Sequence, residues 1–213
     1  MQQADNGLCP PERLAAVVEQ LRGDDEGGLA AIARLQQSWP LDPRLHFLQG
    51  SVLAGLQRYD EGRRAMARAV EIAPGFALAR FQLGFLDLTS GRALDAISVW
   101  TPLGELAEDD ALRVLAEGLA NMAVDNFAEA RRLLKLGMSL NRDNPMINAD
   151  MQLILDEIAD LPDAPAAAVP AAATPVDPAP TVADLPGEEP SPASAVDMLL
   201  RQSRLRGGSN TRH

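Results

Sequence analysis

The sequence predicts an all-α fold, a solenoid of stacked helical hairpins, and three observations predict it. Gly50, Gly84 and Gly118 stand thirty-four residues apart, and a fixed period of that length marks an array of helix–turn–helix repeats. Gly62, Ala96 and Ala130 follow these glycines by twelve residues each, and Pro40 and Pro74 keep the thirty-four-residue step. Between these markers apolar residues recur at three- and four-residue intervals, the period of one helix face. A glycine inside a helix costs about 1 kcal/mol relative to alanine. Three in register therefore argue that close helix crossing outweighs helix propensity.

The elements follow in order. Pro10 and Pro11 suit a helix's first turn, where a missing N–H costs nothing, and Leu14, Val17, Val18 and Leu21 then keep helical spacing over 12–22. Gly23 to Glu26 form a turn whose acids favour the start of the next helix, over 27–38 with Leu29, Ile32 and Leu35 inward. The next hairpin pairs 44–56 with 60–71 around Gln57, Arg58 and Tyr59, and the third pairs 78–89 with 93–106 around Ser90, Gly91 and Arg92. Pro102 falls inside that last helix, where it removes one hydrogen bond and crowds the preceding turn, so a kink or break is expected. The fourth hairpin pairs 112–124 with 127–140, and Pro145 opens a closing helix to residue 160. That helix caps the array, because a terminal repeat otherwise exposes its apolar face.

At Pro162 the composition changes. Residues 162–193 are mostly Ala, Pro, Val and acids, a composition that predicts a disordered, semi-extended linker. Ser194 then reads as a helix cap with Asp197 three residues on. Val196, Leu199 and Leu200 form an apolar face followed by Arg201, Arg204 and Arg206, so 194–213 is a short amphipathic basic tail.

Taken together, Gly50, Gly62, Ala69, Ile72 and Pro74 in the second repeat, Leu83, Gly84, Gly91, Ala96 and Trp100 in the third, and Gly118, Phe127, Ala130, Leu134 and Leu140 in the fourth resemble the tetratricopeptide repeat family. The resemblance implies repeats at 9–42, 43–76, 77–110 and 111–144 and a capping helix at 145–161, within an array over 1–161. The first repeat is the degenerate one, with Ala16, Gly28, Ile32 and Pro40 in register.

The 213 residues carry a net charge of −11, unevenly placed. Residues 1–161 hold fifteen bases against twenty-four acids, residues 162–193 five acids and no base, and 194–213 four arginines against Asp197. An acidic body without a basic, aromatic-interleaved stripe argues against a nucleic-acid partner. No apolar run reaches membrane-spanning length, and the first residues lack a signal peptide's basic start and apolar core. The expectation is a soluble cytoplasmic protein.

No catalytic constellation, phosphate loop or paired metal ligands can be read, so the chain is expected to be no enzyme and to need no cofactor or metal. Cys9, the single cysteine, excludes an intramolecular disulfide and reads as an inert thiol near a frayed terminus. His46 falls at a packing position and reads as a partly buried structural histidine. The acids at 24–26 and 108–110 read as solvated turns before helices. Gln49, Asp87, Glu117 and Asn121, by contrast, are polar residues where the family packs its core.

The resemblance also assigns one face of each hairpin's first helix to a concave groove. These residues are Arg44, Phe47, Ser51 and Ala54, then Leu78, Phe81, Phe85 and Leu88, then Leu112, Leu115, Leu119 and Met122. The last two sets are wholly apolar, and a large apolar patch marks an interaction site. Arg13, Val17, Leu48, Ser51, Leu78 and Gln82 do not reproduce the basic clamp that some members of the family close on chaperone carboxylates. An apolar groove in a small acidic protein is similar to the tetratricopeptide chaperones of bacterial type III secretion. The expected function is a non-enzymatic adaptor or chaperone that holds a protein or peptide partner through Phe47, Leu78, Phe81, Phe85, Leu88, Leu112, Leu115, Leu119 and Met122. The tail residues Val196, Leu199, Leu200, Arg201 and Arg204 would form a second binding element, docking on the array itself or on another protein. The alternative is a self-associating structural subunit of a bacterial assembly, its apolar faces covered in a homodimer.

Overall fold

The computed structural model describes residues 7–162. Those residues form nine α-helices and one 3-10 turn, with no strand among them. The helices are α1 (Pro11–Gln20), α2 (Asp25–Ser38), α3 (Pro43–Gly55), α4 (Tyr59–Ile72), α5 (Ala77–Thr89), α6 (Ala93–Trp100), α7 (Ala111–Ala123), α8 (Phe127–Leu140) and α9 (Pro145–Glu157). Starts at Pro43, Ala77, Ala111 and Pro145 keep the thirty-four-residue step, and so do starts at Asp25, Tyr59, Ala93 and Phe127. The fold is a stack of antiparallel helical hairpins, α1/α2, α3/α4, α5/α6 and α7/α8, closed by α9.

The glycine markers sit where helices cross. A methyl group on Gly84 would stand 2.3 Å from the Trp100 indole nitrogen, and one on Gly118 would stand 2.9 Å from Leu134 Cδ2. Opposite them, Ala96 and Ala130 are fully buried. The hairpin turns repeat as well. Gln57, Gly91 and Asp125 share a left-handed backbone with φ of 61°, 78° and 58°, a conformation that only the glycine adopts without steric cost.

Pro102 breaks the sixth helix as its chemistry requires. α6 ends at Trp100, and Thr101–Glu105 continue as a 3-10 turn, with Leu103 carried into the core. The second helix of the third hairpin is thus shorter than the expected 93–106.

Several helix starts are capped by carboxylates that satisfy otherwise orphaned backbone N–H groups. Asp24 accepts from Gly27 N at 2.9 Å, Asp42 from Arg44 N at 3.0 Å, and Asp110 from Leu112 N at 2.9 Å and Arg113 N at 3.1 Å. The acidic turns at 24–26 and 108–110 therefore hold helix starts.

The main core runs from α5 to α9 through Phe81, Trp100, Leu115, Leu119, Leu134 and Met151. A second cluster joins Cys9, Val17, Ile32 and Leu45 at the N-terminal end, and a third, around Met66, Leu83 and Leu86, links α4 to α5.

Candidate partner-binding surface

The first helices of successive hairpins, α3, α5 and α7, carry the residues expected to line the groove, and the structure divides them. Phe81, Leu88, Leu115, Leu119 and Met122 are no more than 2% exposed and belong to the main core. They are packing residues of this chain, which corrects their expected place on an open groove. Phe47, Leu78, Phe85 and Leu112 are half-buried, the last three packed against the edge of the same core.

The division has a physical cause on the opposing helix. α8 presents Gly137, where a methyl group would lie 2.6 Å from Leu115 Cδ2, so the missing side chain makes room for Leu115. In the third hairpin the Trp100 indole N–H donates to the Phe81 carbonyl oxygen at 3.0 Å, and the two rings lie 6.3 Å apart. Leu103, brought in by the break at Pro102, adds its side chain to the same cluster. These contacts bury Phe81 and Leu115, which lie on the face expected to line the groove. Gly137 was the signal for this in the sequence, a further helical glycine outside the thirty-four-residue series.

What remains accessible is a narrower apolar strip. The Phe47 and Phe76 rings meet at 5.2 Å, tilted by 58°, and the Phe85 ring stacks on Phe81 at 6.4 Å. Phe76, absent from the expected groove set, thus joins α3 to the start of α5. Ser51 does not point a free hydroxyl into this strip, because it donates to the Phe47 carbonyl oxygen at 3.0 Å.

Arg44 has a different task. Its guanidinium donates to both carboxylate oxygens of buried Asp42, at 3.0 and 2.7 Å, and to the Cys9 carbonyl oxygen at 2.7 Å. The Cys9 N–H donates to Asp42 Oδ2 at 2.7 Å, so the residues before α1 are tied to the start of α3. Burial pushes the Asp42 carboxyl up, but the hydrogen bonds from Arg44 and the Cys9 and Arg44 amides outweigh it and leave it below its ordinary value. Burial first, then the Asp42 charge, pushes the Cys9 thiol up. Cys9 is 1% exposed; this stretch of chain is anchored, where fraying was expected.

The polar residues on expected core positions resolve one by one. Asp87 is fully buried and receives Arg63 from α4 and Arg92 Nε, the latter at 2.8 Å, which joins the second and third hairpins. Gln49 accepts from Gln36 at 3.0 Å, and Asn121 donates to the Glu117 carbonyl oxygen at 2.9 Å. His46 is half-buried, its Nε2 2.9 Å from the Pro40 carbonyl oxygen and its Nδ1 3.2 Å from Gln36 Nε2. That arrangement is structural, with Nε2 as the donor and Nδ1 accepting from the Gln36 amide.

A polar cavity of about 410 Å³ opens between residues 57–61 of one hairpin turn and Ser90 and Arg92 of the next. Arg58 is occupied there by Glu61, through bonds of 2.8 and 2.9 Å. Among the described residues no group of three or more His, Cys, Asp or Glu is placed to hold a metal ion, and no helix is long and apolar enough to cross a membrane. The tail residues Val196, Leu199, Leu200, Arg201 and Arg204, and the linker at 162–193 beyond its first residue, lie outside the described residues.

No family model and no curated protein sequence matches the chain. Solved structures do. MamA residues 41 to the end from Desulfovibrio magneticus RS-1, and a double mutant titled MamA RS-1 ArsTM, each align with 17% identity and a TM-score of 0.52. Each alignment covers 70% of this chain and 93% of the matched chain. MamA is a tetratricopeptide-repeat protein, so this chain has a tetratricopeptide-like fold.

Proposed function

We propose that the chain is a non-enzymatic protein-binding scaffold, an adaptor that holds a peptide or helix of a protein partner. The observation that carries this reading is the apolar strip of Phe47, Leu78, Phe85 and Leu112, half-buried along successive first helices. Partly exposed apolar side chains on successive helices of a stack suit a partner helix whose own apolar residues recur every three to four positions. Leu78, Phe85 and Leu112 already pack on the core and Phe47 on Phe76, so their outer surfaces are pre-positioned and little side-chain entropy is lost when a partner covers them. The tetratricopeptide-like fold supports the same class of role.

The test uses the full chain beside Phe47→Gln/Phe85→Gln, both checked for retained helical circular dichroism. A protein captured by wild type and lost by the variant, with the loss repeated using the purified partner in calorimetry, supports the strip. Equal binding by both would overturn it. A wild-type mass in light scattering twice the chain mass, reduced to the monomer by the variant, would instead identify a homodimer as what covers the strip.

A further inference from the structure

We propose that residues 194–206 dock on the outward face of α9, their apolar side chains on Met146, Ala149 and Leu153 and their arginines on the acids that flank them. This surface is separate from the strip on α3, α5 and α7, and the proposal stands independently of that strip's function.

The argument begins with what α9 lacks. It starts at Pro145, on the same thirty-four-residue step as α3, α5 and α7, each of which is followed by a partner helix that crosses it. Among the described residues none follows α9. Its inner face is well used, with Ile147, Met151, Ile154, Leu155 and Ile158 buried in the main core. Its ends are secured too. Asn141 donates to Asn148 Oδ1 at 2.7 Å near the start, and Arg131 of α8 donates to the carbonyl oxygens of Ile158 and Leu161 at 2.9 and 3.2 Å beyond the end.

The outer face is not that of a solvated cap. Met146 is 76% exposed and Leu153 66%, with exposed Ala149 between them. At 100° per residue these three fall within about 60° of one another, a continuous apolar stripe. Residues 143–160 hold Asp143, Asp150, Asp156, Glu157 and Asp160 and no base. Asp150 lies four residues after Met146 and three before Leu153, and so borders the stripe. It is half-buried, and it makes no hydrogen bond or ion pair among the described residues. An unpaired, half-buried carboxylate beside exposed apolar side chains describes a surface suited to a cationic, amphipathic occupant.

The chain supplies one. Over 194–206, Val196, Leu199 and Leu200 share one face at helical spacing, and Arg204 and Arg206 flank it on opposite sides. That segment carries Arg201, Arg204 and Arg206 against the single acid Asp197, the reverse of α9's balance. Residues 163–193 separate it from the end of the array, and about thirty residues of coil have an r.m.s. span of roughly 30 Å. A tether of that length presents the segment to α9 at an effective concentration on the order of mM, so weak contacts suffice.

The test is paramagnetic relaxation in the full chain, with a nitroxide on Met198→Cys, a position opposite the apolar face; Cys9 is buried and stays unlabelled. The expected result is loss of the Met146, Ala149 and Leu153 amide signals, with those of α1 and α2 retained. Leu153→Glu, at an exposed site that leaves the fold intact, should restore the remaining α9 signals, as should Arg201→Glu/Arg204→Glu. Signals of α9 that persist in the labelled wild type, or losses centred on another helix, would overturn the proposal. So would the same losses when unlabelled isotopic chain is mixed with labelled chain, because the segment would then be docking on a second copy.

Discussion

Gly50 and Gly62 face each other across the α3–α4 crossing. A methyl group on Gly50 would stand 3.0 Å from the Gly62 carbonyl oxygen, and one on Gly62 would stand 3.0 Å from the Gly50 oxygen. Both obstacles are backbone, which cannot turn aside as a side chain can. Gly62→Ala should therefore cost about 2 kcal/mol through overpacking, more than the ~1 kcal/mol gained in helix propensity. Gly55→Ala, where the added methyl group meets nothing within 4 Å, should keep the propensity gain. Urea denaturation of the two variants should move the midpoint in opposite directions.

The inward turn of α7 predicts unequal costs for two leucines one turn apart. Leu115 is fully buried, whereas Leu112 is half-buried at the edge of the same core. Leu115→Ala should cost about 3 kcal/mol, with a cavity left beside Gly137, and Leu112→Ala roughly 1 kcal/mol from the lost area alone. Equal losses in thermal or urea unfolding would contradict the unequal burial of the two leucines.

Asp42 makes the N-terminal end sensitive to acid. Its folded carboxyl sits below the ordinary value of 3.8, so the folded chain holds the ionised form more tightly than the unfolded chain does. The resulting stability is present above that ordinary value and is lost as pH falls through the lower folded value. Asp42→Asn should remove this component and, by leaving the Arg44 guanidinium without its counter-charge, cost about 3 kcal/mol at neutral pH. Unfolding followed against pH for wild type and variant should show two curves that converge in acid.

Asp150 has the opposite sign. Burial raises its carboxyl above the ordinary 3.8, so ionisation penalises the folded chain as pH rises from that value through the higher folded one. Asp150→Asn should stabilise the protein at neutral pH, with the gain vanishing below the ordinary value. Stability measured in the presence of the tail variant Arg201→Glu/Arg204→Glu should show a larger gain from Asp150→Asn, because the docked arginines would otherwise offset the charge.

Cys9 should resist thiol reagents in the native state. Its side chain is buried beside the Asp42 charge, and its thiol is shifted away from ionisation by both, while the thiolate is the reactive form. Modification should follow unfolding, so the labelling rate should rise with urea along the unfolding curve. Asp42→Asn should raise it in buffer alone.

The repeat architecture was legible because it rests on a local requirement that recurs. Each hairpin needs a small residue at its crossing and a turn at a fixed distance beyond it, so Gly50, Gly84 and Gly118 carry the period wherever the chain is read. The break at Pro102 was legible for a similar reason, since an imino acid removes a helix hydrogen bond whatever surrounds it. Asp87 was visible as a polar residue at a core position, but its partner Arg63 comes from another helix, and Asp42 was not singled out because its buried bond to the Cys9 amide joins residues thirty-three apart.

From the sequence alone follow the all-α hairpin stack, its thirty-four-residue step, the acidic body and the basic charge of 194–206, because each depends on residue type and spacing along one chain. Tertiary structure alone decided which way each helix faces. Phe81, Leu88, Leu115, Leu119 and Met122 have the spacing of an open groove, yet they lie in the core. Burial depends on what packs opposite, and here Gly137 leaves room for Leu115 while Trp100 and Leu103, brought in from other elements, cover Phe81 and its neighbours.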